Sequence, residues 1–131
     1  MSAVVLDAGA LIALDRNDRA TWALLRVAAD DGDVVLVPTG VVGQTWRDGA
    51  RQALLSRALD HCEEVPLDGV VARAAGLLCG RTDTADVIDA SVALAAAGAM
   101  VSGPVSVLTS DLDDLARLTG ALRRSIDLIE V

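Results

Sequence analysis

Lysine, tyrosine and phenylalanine are absent from this chain, and histidine occurs once, as His61. Each gap removes a class of chemistry. A phosphate-cradling P-loop depends on the lysine of its signature, and phosphoaspartate switches and dehalogenase-like phosphatases characteristically use one too; every basic residue here is an arginine. Cys62 and Cys79 form no metal-ligand spacing, and one histidine cannot complete a zinc cluster; all three are expected to be packing or surface residues. Trp22 and Trp46 are the only aromatic residues. They are expected in the core or at an interface, and so few rings disfavour base stacking as the mode of nucleic-acid binding. No long apolar run is present either: the longest, Ala90 to Val101, is too short to span a bilayer. The N-terminus enters a strand-like run with no basic leader or cleavage signal, so the expected location is the cytoplasm, with no membrane.

What remains is 53% hydrophobic over 131 residues, enough for one core of Ala, Val, Leu and Ile in a single domain spanning 1–131. The net charge of −8 provides no general basic surface for a polyanion. Two readings stay open: the partner is not nucleic acid, or negative charge is gathered in a pocket that cations neutralise.

Patterning suggests alternation of strands and helices. Buried strands are expected at Ala3–Leu6, Val34–Val37 and Val105–Thr109, with shorter ones at Glu63–Pro66 and Ile126–Glu130. Helices are expected at Ala8–Leu14, from Arg19 to about Ala29 behind an Asp18 cap, and from Thr39 through Trp46. Others should run from Arg51 to Asp60, from Asp68 to about Cys79, from Ala85 to about Ala99 and from Asp111 to Leu118. Gly80–Asp83 reads as a loop, with Thr84 opening the helix after it. Several strands are apolar throughout, which implies a mainly parallel sheet covered on both sides: an α/β protein, built as a three-layer α/β/α sandwich.

Ligands of open α/β sheets gather at the carboxyl ends of the strands. Asp7 follows the first strand and Asp111 lies just past the fourth. Asp86 and Asp89, three apart, would share a helix face. Asp86, Asp111, Asp113 and Asp114 can each be explained as residues that cap or charge a helix N-terminus. Asp7 and Asp89 sit in apolar surroundings, where charge requires a partner. With no lysine available, a divalent cation is the natural one, and oxygen ligands without His or Cys favour Mg²⁺ or Mn²⁺.

These segments resemble the PIN-domain ribonucleases, in particular the VapC-like toxins of type II toxin–antitoxin systems. Val5-Leu6-Asp7-Ala8-Gly9-Ala10 is similar to the opening motif, Asp86-Val87-Ile88-Asp89-Ala90-Ser91 to the third acidic motif, and Leu108-Thr109-Ser110-Asp111-Leu112-Asp113-Asp114 to the fourth. The resemblance covers essentially the whole chain. It implies an endoribonuclease that cuts structured RNA, such as tRNA or ribosomal RNA, with a metal-activated water. Asp7, Asp89 and Asp111 would be catalytic and hold Mg²⁺ (Mn²⁺ substituting), with Asp86 a further ligand or orienting group. Thr109 or Ser110 would hydrogen-bond a ligand or the water. It also implies a cognate VapB-like antitoxin and a homodimer. In Val41-Val42-Gly43-Gln44-Thr45-Trp46-Arg47 the sequence departs from the family, because Gln44 stands where the second motif has Glu. An amide brings one ligand oxygen, no charge and no base. The alternative is therefore a weakened PIN domain acting by RNA or antitoxin binding. Arg47, Arg51 and Arg81 are candidates for RNA phosphates, against the plainer reading of surface charge.

Overall fold

Ala3-Val4-Val5-Leu6 has no polar face, and such a run is stable as a strand only where both sides of a sheet are covered. In the computed structural model, which describes residues 2–131, these residues form β1 (Ala3–Leu6), the central strand of a five-stranded sheet ordered β3-β2-β1-β4-β5. Its neighbours are β2 (Val34–Pro38) and β4 (Val105–Thr109), with β3 (Glu63–Val65) and β5 (Asp127–Glu130) at the edges. All four pairings are parallel, with Val5 beside Leu36 on one side and Val107 on the other. The expected three-layer α/β sandwich is present, and its sheet is wholly parallel.

Helices α1 (Ala8–Asp15), α2 (Arg19–Asp30), α3 (Thr39–Thr45) and α4 (Ala53–Leu59) precede β3, and α5 (Gly69–Thr82), α6 (Val87–Ala99) and α7 (Leu112–Ala121) follow it. The chain builds outward through β1, β2 and β3, then crosses back to add β4 and β5 on the other side. Right-handed crossovers place the two sets of helices on opposite faces. α1 packs with α2 and α4, α6 packs with α5 and α7, and α3 touches both α1 and α6. Strand order reverses between β1 and β4, so a crevice opens at their carboxyl ends. Val5, Leu6, Leu11, Val37, Val92, Val107 and Leu115 are wholly buried in the single core.

Some boundaries differ from the expected ones. α5 continues through Gly80, Arg81 and Thr82 rather than yielding to a loop, and it stops where Asp83 adopts a left-handed conformation, φ 56°. Thr84 therefore does not open the next helix; Asp86 caps it and Val87 is its first residue. α3 ends at Thr45, leaving Trp46 in extended backbone. The expected helix from Arg51 to Asp60 is a 3₁₀ turn at Gly49–Arg51 followed by α4, with Gln52 between them. Among the described residues, no single helix is long and apolar enough to cross a membrane.

Candidate active site

The two acids at strand ends, Asp7 and Asp111, and Asp86 between α5 and α6 each cap a helix. Asp7 Oδ1 accepts the Ala10 amide at 3.0 Å, Asp86 Oδ1 accepts those of Ile88 and Asp89 at 3.0 and 2.9 Å, and Asp111 Oδ1 accepts that of Asp114 at 3.3 Å. Capping alone therefore does not separate a functional aspartate from a structural one, since Asp18 and Asp68 cap α2 and α5 in the same way. Their electrostatic surroundings differ. Hydrogen bonds from Thr21 hold the exposed Asp18 below the usual carboxylate range. Asp7, only 4% exposed, is pushed upward by burial. The Thr109 hydroxyl and the amides of Ala10, Ser110 and Gly9 offset that only in part.

Asp89 is not a cap. It lies in the first turn of α6, where burial and then the charges of Asp86, Asp111, Asp7 and Asp114 push its pKa up to about 7. Four carboxylates from three helix starts thus act on a fifth. The tightest group is Asp89, Asp111 and Asp114, whose ligand oxygens lie within 4.8 Å of one another. A hydrogen bond to the Asp111 carboxyl, followed by its charge, raises Asp114 as well. In the sequence Asp114 reads only as a helix-start charge; its i, i+3 relation to Asp111 is the signal that identifies it. Asp113 is exposed and is not in the group.

Thr109 and Ser110 join the two strand ends. The buried Thr109 Oγ1 accepts the Asp111 amide at 2.8 Å, and its hydrogen bond to Asp7 ties the acids of β1 and β4 together. The Asp7 amide in turn donates to Leu108 O at 3.1 Å. Ser110 packs on Gly9, where an added Cβ would come within 2.5 Å of the Ser110 Cβ. Glycine at position 9 is what allows this approach.

The other candidates lie further out. Gln44 is exposed on α3, and among the described residues it hydrogen-bonds none of the carboxylates. Arg47 folds back on Gly43 O and Trp46 O at 3.1 and 2.8 Å, and Arg51 Nε stands 3.6 Å from Asp48 Oδ2. Arg81 donates to Ala121 O at 2.9 Å. Ala121 is the last residue of α7, about 15 Å of helix from Asp111. The nearest cation recorded at the acidic group is Arg117, 3.9 Å from Asp114 on the rim. Cys79 is buried and Cys62 half-buried, the packing roles expected of them, and burial pushes the Cys62 thiol up to about 12.

The donor set fits a hard divalent cation: all oxygen, largely anionic, and with too little positive charge around it to balance it. The fold agrees with a solved structure, that of VapBC2 from Rickettsia felis bound to a DNA fragment from their promoter. A chain of that structure superposes with a TM-score of 0.66 over 98% of both chains, at 13% identity. The fold is PIN-like. No family model and no curated protein matches the sequence. The agreement with VapBC2 is thus one of backbone architecture.

Proposed function

We propose that this chain is a metal-dependent endoribonuclease toxin, with the acidic crevice between β1 and β4 as its active site and Asp7, Asp89 and Asp111 as its catalytic carboxylates. The observation that carries the reading is the convergence of Asp89, Asp111 and Asp114, whose ligand oxygens lie within 4.8 Å of one another, with Asp7 and Asp86 adding to the charge that raises Asp89. Such a crevice opposes its own ionisation until a cation enters. Asp89, Asp111 and Asp114 would hold Mg²⁺, or Mn²⁺ in its place, with Asp7 and Asp86 completing the negative wall. The bound ion would lower the pKa of an attacking water and stabilise charge on the phosphate. The protein's own part is placement. Thr109 holds the Asp111 backbone amide next to Asp7, and the caps at Ala10 and Ile88 hold two of the acids in single orientations.

The substrate would be structured RNA, tRNA or ribosomal RNA, with Arg47 and Arg51 on the outer wall for phosphate contact. Arg81, committed to Ala121, is the weaker candidate of the three. A VapB-like antitoxin as neutralising partner is supported by the architecture shared with VapBC2. A homodimer and a cytoplasmic location belong to the same reading. Gln44 favours a second one, an attenuated nuclease that acts by binding. Asp114 argues against a complete loss of function, because it adds a carboxylate to the group that Gln44 does not supply.

Purified protein incubated with mixed tRNA and ribosomal RNA should give discrete fragments in Mg²⁺ or Mn²⁺, none in EDTA, and none from an Asp7→Asn, Asp89→Asn double variant. Fragments that persist in EDTA would overturn the reading. If fragments form only with Gln44→Glu, the attenuated reading is the correct one.

A further inference from the structure

We propose that Trp46, flanked by Arg47 and Arg51, is a stacking subsite for one nucleobase of a single-stranded stretch of the RNA substrate. The proposal rests on the nuclease reading and adds to it a place where the strand is held. The two tryptophans are used differently. Trp22 is half-buried, and its indole Nε1 donates to Leu14 O at 3.0 Å. Trp46 is 41% exposed, and no hydrogen bond from its indole is recorded among the described residues.

The ring is seated on a surface shaped for it. A Cβ at Gly49 would lie 2.6 Å from Trp46 Cζ2, so only glycine lets the indole rest against this backbone. The loop that carries the ring is pinned by one buried amide. Gln52 Oε1 accepts the Arg47 and Asp48 amides at 2.8 and 2.9 Å, while its Nε2 donates to Thr45 O at 2.9 Å and Asp15 Oδ2 at 3.2 Å. A ring held this firmly loses little entropy when something stacks on it.

Its neighbours indicate what would stack. Its sequence neighbours Gln44, Arg47, Asp48 and Arg51 are all exposed and polar, which suits a nucleotide better than an apolar protein surface. Asp48, the one acid in the loop, is occupied: Oδ1 caps Ala50 at 3.2 Å and Oδ2 faces Arg51. Arg51 is paired with Asp48 and Asp15 lies on the inner side of the loop, so the guanidinium left without an acidic partner among the described residues is that of Arg47, beside the ring. An indole face beside guanidinium groups suits a base and its phosphate, whatever the base.

The position is also suitable. Gly40, near the start of α3, packs on Ile88 of α6, and α3 puts Trp46 about 10 Å beyond that contact. Through Gln52 and Asp15 the loop is joined to the far end of α1, about 12 Å from Asp7. Both routes join the ring's loop to helices at whose starts the acids lie.

The test titrates a 5′-labelled single-stranded oligoribonucleotide, with Mg²⁺, into protein made cleavage-deficient by Asp7→Asn. Strand polarisation reports binding. Tryptophan emission in a Trp22→Phe background, where Trp46 is the sole emitter, reports the ring. Saturation should quench the emission. With Trp22 retained, Trp46→Leu should weaken binding about 10-fold or more and Trp46→Phe should restore most of it. Binding with unchanged emission and an unaffected Trp46→Leu variant overturns the subsite and leaves the nuclease reading standing. No strand binding at all overturns the subsite, and the nuclease reading then stands or falls on the fragment assay with tRNA and ribosomal RNA. Emission that shifts with protein concentration before any RNA is added would mean a second copy covers the ring, and that also overturns the subsite.

Discussion

Asp7 and Asp18 each close a helix by accepting an amide three residues on, from Ala10 and Thr21, both at 3.0 Å. Burial raises the proton affinity of the first, and hydrogen bonding in the open lowers that of the second. Two substitutions at Asp7 divide its roles. Asn caps a helix as well as Asp does, so Asp7→Asn should keep the melting temperature within a few degrees while metal-dependent cleavage falls by more than about 100-fold, beyond the loss typical of residues that merely orient a ligand. Asp7→Ala should lose cleavage and also about 1 kcal/mol of stability with the cap, read by denaturant unfolding. Equal activity in wild type and Asp7→Asn would reduce Asp7 to a cap. Asp7 and Asp89 were legible in the sequence because an acid amid apolar residues stands out in one dimension, and Asp111 because it lies just past an apolar strand. Asp114 and Gln52 were not. The role of Asp114 depends on which acids converge from other elements, and the four hydrogen bonds of Gln52 go to groups set by tertiary folding.

The strands and most of the helices could be read from apolar runs and cap residues, since both are local. The failures fall where tertiary contacts decided the outcome. Gly80, Arg81 and Thr82 looked like loop residues, yet packing on α6 and α7 and the bond from Arg81 to Ala121 O carry α5 through them. Trp46 fitted the helical pattern but was drawn out of it by the Gln52 clamp. The contact between α1 and the β4–α7 loop offers a test at this scale. In Gly9→Ala the new methyl meets Ser110, so the loop bearing Asp111 must move away from Asp7. The expected cost is about 1–3 kcal/mol, with weaker Mg²⁺ binding by titration calorimetry. Ser110→Gly in the same chain removes the colliding Cβ and should recover most of both. If the double variant binds Mg²⁺ no better than Gly9→Ala alone, the loop is not what positions Asp111.

At the scale of the whole molecule, topology and charge meet in one place. A sheet whose strand order reverses beside its central strand brings the starts of α1, α6 and α7 to one crevice. In this chain each of those starts carries aspartate. The positive ends of the helix dipoles ease that concentration of charge, but the raised Asp89 shows that they do not cancel it. Stability should therefore depend on pH and on metal together. Between about pH 4 and pH 7 the folded protein keeps a proton on Asp89 that the unfolded chain has released, so stability falls as pH rises through that window. Asp7 and Asp114, also raised, act in the same direction. Metal-free protein should melt roughly 3–8 °C lower at about pH 8 than at about pH 5, solvent screening part of the repulsion. Saturating Mg²⁺ binds only the folded, ionised crevice, so it should raise the melting temperature more at the higher pH and flatten the dependence. Asp89→Asn should lose most of the dependence without metal and keep the smaller slope due to Asp7 and Asp114. A melting temperature that rises from about pH 5 to pH 8 in EDTA, or a Mg²⁺ response equal at both, would mean that these carboxylates do not form one coupled cation site.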